Sequence, residues 1–121
     1  MGLARVLVVL NTAQAWSRGI LKGLMQVAHR RGWSLLHYHP GADPKWLFDA
    51  WAPAVAVVGP ELDAQQLTAF SGIPIVSVNA DRSRQRIASV YLDEAQIGAM
   101  AANYFSSRGY RHVTTFRFED S

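Results

Sequence analysis

Apolar and polar positions alternate in blocks along this chain. Val6-Leu7-Val8-Val9-Leu10 is an unbroken apolar run that stops at Asn11, the pattern of a strand covered on both faces, as in a parallel sheet. A short polar loop, Thr12 to Trp16, leads into a helical pattern in which Ile20, Leu21, Leu24, Met25, Val27 and Ala28 recur at helical spacing. Ser17 is the expected N-cap. Arg30-Arg31 and then Gly32 mark the end, because cations complement the helix dipole there and glycine takes the left-handed position beyond the last turn. Trp33 to His39 reads as a second strand closed by Pro40-Gly41. Asp43 is the expected cap, and Pro44 the first residue, of a short helix through Trp46, Leu47, Phe48 and Trp51 that ends before Pro53.

Ala54 to Val58 is a third apolar run, ended by Gly59-Pro60. Glu61 to Phe70 is polar with Leu62, Leu67 and Phe70 along one side, a surface helix. Pro74 to Asn79 is a fourth strand with its proline at the tolerated first position. Ala80 to Arg86 is a polar loop, and Ser89 to Leu92 fits a short extra strand. Asp93-Glu94-Ala95-Gln96 has the form of a capping box. It opens a helix with Ile97, Met100, Ala101, Tyr104 and Phe105 on one face, ended by Gly109. His112 to Phe118 reads as the last strand. Arg31-Gly32-Trp33 and Arg108-Gly109-Tyr110 echo each other, which the shared chemistry of ending a helix on glycine explains.

This alternation predicts an α/β fold, a doubly wound, mostly parallel, Rossmann-like sheet flanked by helices. Strands beginning near Arg5, Trp33, Ala54, Pro74 and His112 are expected in the order 2-1-3-4-5, with the first strand central. Residues 1–121 are read as a single α/β lobe.

Composition narrows the function. Cysteine is absent, which excludes disulfides and thiolate metal sites. The formal charge of +3 is mildly basic, but the cations are scattered along the sequence, which argues against a nucleic-acid face on this segment. No apolar run approaches the ~18 residues of a membrane span, and no signal peptide precedes the first strand. The expectation is a cytoplasmic protein with no membrane partner.

Ligands of parallel sheets bind beyond the carboxyl ends of the strands. Asn11, Asn79 and Asp93 fall at such ends, where they suit a hydrogen-bonding pocket or, equally for Asn and Asp, local turns and caps. For Asp93 the capping role is the better reading. Trp16 and Arg18 follow the first strand; a Trp face stacks on sugar rings and a guanidinium holds hydroxyls or a carboxylate, although packing and exposure alone also account for them. Trp46 and Trp51 belong to a core or an interface. His37 and His39 share one strand face with Tyr38 opposite, without a third ligand of suitable spacing, so no metal is expected. Phosphate-cradling glycine motifs and the Gly-x-Ser-x-Gly nucleophile motif are absent, as are the acidic residues of a phosphoacceptor domain. No enzyme activity and no cofactor are expected.

Trp16-x-Arg18-Gly19-Ile20-Leu21-Lys22-Gly23-Leu24, followed by Gly32-Trp33, resembles the opening of the sugar-sensing domain in XylR-type regulators of the AraC class. Ile73 to Val78, then Val90-x-x-Asp93-x-x-x-x-Gly98-x-x-Ala101, then Arg108-Gly109-Tyr110-Arg111-His112-Val113 resemble the same domain and the related LacI/GalR core. The resemblance spans nearly the whole chain. It implies a periplasmic-binding-protein-like domain, with two α/β lobes closing on a sugar and a helix-turn-helix reader elsewhere. Only the first lobe is recognisable here, and a first strand within a few residues of Met1 favours the XylR arrangement, with the reader after the sensor.

The implied function is effector sensing in a transcription regulator, with Asn11, Trp16, Arg18, Asn79 and Asp93 lining the ligand cleft and DNA bound only through another domain. A doubly wound enzyme domain and a lobe of a transport-type sugar-binding protein are the alternatives. A homodimer is expected, formed through Trp46 to Trp51 or the face around Tyr104 and Phe105, since apolar patches rarely stay bare.

Overall fold

The computed structural model describes residues 4–41, 45–112 and 114. They divide into two compact units, residues 1–91 and residues 92–121.

The first unit is a five-stranded, all-parallel sheet flanked by helices, an α/β Rossmann-like arrangement. Its elements are β1 (Arg5–Val9), α1 (Ala15–Arg31), β2 (Ser34–Tyr38), α2 (Lys45–Ala50), β3 (Val55–Val58), α3 (Ala64–Thr68), β4 (Ile75–Val78) and β5 (Ala88–Val90). The strand order is β2-β1-β3-β4-β5. The apolar run that the sequence singles out carries β1, an interior strand between β2 and β3: Leu7, Val8, Val9 and Leu10 are 0% exposed. Alternate residues of β1 feed two separate cores, because successive side chains of a strand point to opposite faces. Val6, Val8 and Leu10 pack with Val57 beneath Ile20, Leu21 and Leu24 of α1. Leu7 and Val9 pack on the other face with Tyr38, Leu47, Leu67 and Phe70, beneath α2 and α3. Phe48 and Phe70 meet there as a tilted ring pair with centroids 5.7 Å apart.

The order is the expected one, but the occupant of its last place is not. The strand expected from His112 does not fill it. Its place is taken by Ala88–Val90, parallel to β4 with Val78 opposite Val90. Parallel neighbours are usually joined through a helix and a dozen or more residues. Here Asn79 to Ile87 suffices, because Asn79 (φ 59°) and Arg86 (φ 60°) both take the left-handed conformation around a 3₁₀ turn at Ser83–Gln85. Asn tolerates that conformation better than most side chains, and its N–H extends the pairing by donating to Val90 O at 2.8 Å. His112 lies outside any strand. Residues 113 and 115–118 of the expected strand, and the expected cap and first residue at Asp43 and Pro44, lie outside the described residues.

Helix ends follow local chemistry. Gly32 (φ 70°) closes α1, with Trp33 N–H donating to Ala28 O at 2.9 Å. Ser17 does not cap α1. The helix starts at Ala15 with Gln14 in the cap position and no side-chain cap; Ser17 is fully buried and its hydroxyl donates to Asn11 O. The segment from Glu61 to Phe70 is helical only over Ala64–Thr68, opened by a capping box in which Asp63 Oδ1 accepts from Gln66 N–H at 2.8 Å and Gln66 Oε1 accepts from Asp63 N–H at 2.9 Å.

The second unit contains α4 (Glu94–Ser107). Asp93 caps it by accepting from Gln96 N–H at 3.0 Å. Gly109 (φ 85°) follows its end, where Tyr110 N–H donates to Phe105 O at 3.2 Å. The two Arg-Gly-aromatic sequences therefore close their helices by the same long-range backbone bond. Among the described residues no helix is long and apolar enough to cross a membrane.

Candidate functional site

Beyond the last ladder bond of β1, the backbone carbonyls lose their strand partners and must find others. Three consecutive ones are taken by side chains. Leu10 O accepts from His37 Nε2 at 2.7 Å, Asn11 O from the Ser17 hydroxyl, and Thr12 O from Arg18 Nη1 at 2.9 Å. A carbonyl can only accept, so His37 carries its hydrogen on Nε2. The Asn11 side chain makes its own turn, Oδ1 accepting from Ala13 N–H at 3.0 Å. Trp16 Nε1 donates to Gln14 Oε1. The loop from Asn11 to Gln14 is thus stitched to the first turn of α1 and to β2. Arg18, a cation in a first turn where the helix dipole opposes it, has a structural partner in Thr12.

A second braced loop follows β3 and β4. Arg82 Nη2 donates to Gly59 O at 2.9 Å and Leu62 O at 2.8 Å, while its Nε is buried without a hydrogen-bond partner. The Arg82 N–H donates to Ser89 Oγ at 2.8 Å. Fully buried Ser77 donates to Ala80 O at 2.8 Å. One guanidinium therefore joins the loop after β4 to the loop after β3. Asp81 Oδ1 accepts from Ser83 N–H at 3.0 Å. The Ser83 hydroxyl and N–H hold the Asp81 carboxyl below the usual range. Gly59 is required for close approach: a Cβ there would meet Leu10 Cδ2 at 2.9 Å and crowd the Glu61 carboxylate.

Of the residues singled out in the sequence, Asn11, Trp16, Arg18 and Asn79 all stand at the carboxyl edge of the sheet. Asn11 follows β1 and Asn79 follows β4, with β3 between those strands. Both are half-buried, and the Asn79 side chain has no hydrogen-bond partner among the described residues. Asp93 belongs to the second unit, where its carboxylate caps α4. Arg82 escaped sequence reasoning because nothing distinguishes it there from Arg84 and Arg86, both exposed.

A groove of about 1000 Å³ runs along the outer side of α1 and takes in Thr12 and His37. Of the five singled-out residues only Arg18 lines it. Lys22, His29 and Arg30 line it further along. Three of the twelve Arg and Lys residues, all on α1, therefore share one surface. Comparison with family models, with curated proteins and with solved structures gives no match.

Proposed function

We propose that this chain is the amino-terminal lobe of the effector-sensing domain of an XylR-type transcription regulator, and that its carboxyl edge holds half of a small polar ligand, a sugar. The observation that carries this reading is the placement of Asn11 and Asn79, half-buried, at the carboxyl ends of two parallel strands on either side of β3. In a sheet of order 2-1-3-4-5 ligands bind where the winding direction reverses, between the first and third strands. Asn11 follows the first strand beside that point, and Trp16 and Arg18 stand at the start of α1 just beyond. Preorganisation supports the same reading. Loops braced by Ser17, Arg18, His37 and Arg82 hold polar groups in place before a ligand arrives, which lowers the ordering cost of binding. The division of the chain after Tyr91, just past β5, suits a lobe that ends where the chain leaves its sheet. The ligand acts by favouring one conformation of the regulator, and a separate domain binds DNA.

A thermal-shift screen of the full-length regulator against pentoses and hexoses tests this, since a ligand that binds only the folded form raises the melting temperature by mass action. At least one sugar is expected to do so. Arg18→Ala then weakens that sugar by roughly 1.5–3 kcal/mol, the scale of a charged hydrogen bond, while the exposed bond to Thr12 limits the loss of stability to about 1 kcal/mol. A panel without any shift removes the sensing role. Normal affinity in Arg18→Ala removes Arg18 from the site.

The lobe is also expected to form a homodimer through its exposed aromatic positions. Trp46 on α2 is 61% exposed, and Tyr104 and Phe105 on α4 are exposed as well, whereas Phe48 and Trp51 pack against the core. Light scattering at high protein concentration checks the dimer, and a clean monomer counts against it.

A further inference from the structure

We propose that the groove along α1 docks an acidic amphipathic helix of a partner protein. The first 42 residues contain five Arg and Lys and no Asp or Glu, so the +3 of the whole chain is the sum of +5 here and −2 in the remainder. Four of those cations lie within or directly after the helical run, and the groove brings Arg18, Lys22 and Arg30 together with His29 and His37. Among the described residues no carboxylate lines it.

Arg30, in the last turn, complements the dipole of the helix carrying it, but the cations nearer its start do not. Arg18 and Lys22 are like charges four residues apart, and Arg18 lies near the start of α1, where the dipole disfavours a cation. No acidic residue on α1 offsets them. Gly19 and Gly23, poor helix formers, have open space where a Cβ would stand. They leave the surface beside the cations low enough for close approach.

Charge complementarity requires an anionic occupant, and the groove's apolar stretch decides which kind. Leu21 and Met25 stand between the two groups of cations, with Met25 56% exposed. Methionine adapts its shape to an incoming apolar side chain. A single-stranded nucleic acid would want large aromatic platforms among the cations, and no Phe, Tyr or Trp among the described residues lines this groove. A second copy of the same surface would set cation against cation across a two-fold axis. From Arg18 to Arg30 the helix rises by about 18 Å, three turns. That length suits a partner helix of similar extent with Leu, Met or Phe on one side and Asp or Glu flanking them. This docking surface does not depend on the sugar-sensing reading.

The test uses the whole 121-residue chain and fluorescein-labelled, 15-residue peptides that place Leu or Phe every three or four positions between Asp and Glu. Fluorescence anisotropy is expected to show saturable binding that weakens several-fold between low and high salt. A peptide of the same composition without the apolar stripe is expected to bind at least about tenfold more weakly, as is the Lys22→Glu/Arg30→Glu variant toward the striped peptide. Both substitutions are at exposed positions, and circular dichroism checks the fold. Should the reversed variant unfold, Lys22→Gln/Arg30→Gln gives the same comparison, with a smaller loss expected. Equal binding of the two peptides, no effect of either variant, tighter binding of a single-stranded oligonucleotide, or no peptide binding overturns the proposal.

Discussion

Leu7→Ala is expected to lower the unfolding free energy by roughly 3–5 kcal/mol, the upper range for truncating a fully buried leucine. Leu7 sits in the middle of β1, an interior strand, at 0% exposure and touches the core beneath α2 and α3. Its methyl groups are held on a backbone paired on both sides, with β2 through Leu36 and with β3 through Ala56. A cavity there cannot close by moving the strand, because both ladders would have to shift with it. Since small domains carry only about 5–15 kcal/mol of stability, the variant is expected to be largely unfolded on modest heating. Urea denaturation followed by circular dichroism measures the loss. Met25→Ala, at an exposed position of α1, is the control and is expected within about 0.5 kcal/mol of the parent. A loss below 1 kcal/mol for Leu7→Ala would mean that β1 is not the buried centre of the sheet.

Arg82→Met is expected to cost about 2–4 kcal/mol, through the loss of two charge-assisted hydrogen bonds to the Gly59 and Leu62 carbonyls. A competing effect reduces the figure. The Nε of Arg82 is buried without a partner, so removing the guanidinium also relieves a desolvation cost. Two charged bonds outweigh one unmet N–H, so the net sign remains destabilising. Arg82→Lys is expected to recover only part of the loss, since the shorter lysine side chain ends short of the position from which the one Nη2 nitrogen serves both carbonyls. Equilibrium denaturation of the three proteins decides it. If Arg82→Met matches the parent within 0.5 kcal/mol, Arg82 does not hold the two loops together. Because those loops flank the carboxyl edge, the same variant is expected, on the proposed sensing function, to weaken ligand binding as well.

Much of the framework was written locally. The run from Val6 to Leu10 dictates a strand covered on both sides, since only burial on two faces accommodates five successive apolar side chains. Gly32 and Gly109 end their helices because each must adopt a positive φ, and that requirement is met by one residue without regard to the rest of the chain. Pro74 and Pro53 fall outside strand and helix interiors for a similar reason: a missing N–H acts at its own position. With strands and helices alternating, connection rules leave few arrangements, and 2-1-3-4-5 is one of the common doubly wound orders.

What the tertiary structure alone decided is where sequence-distant groups meet. The three-residue strand Ala88–Val90, within a stretch that already reads as a short strand, takes the fifth place expected of His112 to Phe118. It holds the edge because two left-handed residues and a 3₁₀ turn carry the chain back beside β4. Ser17 has the composition of a cap, yet its hydroxyl serves a carbonyl left over at the end of β1, a need that exists only once strand and helix are joined. Arg82 differs from Arg84 and Arg86 only through the two carbonyls folded against it. The helical half of the cationic groove was implicit in the spacing of Arg18, Lys22 and Arg30. His37 joins it only because β2 pairs with β1 and sets its imidazole on Leu10 O. Local geometry is fixed by each residue's own torsions and donors, and is legible in order along the chain. Sites arise from groups brought together by the sheet, and the spacing between them is a property of the fold.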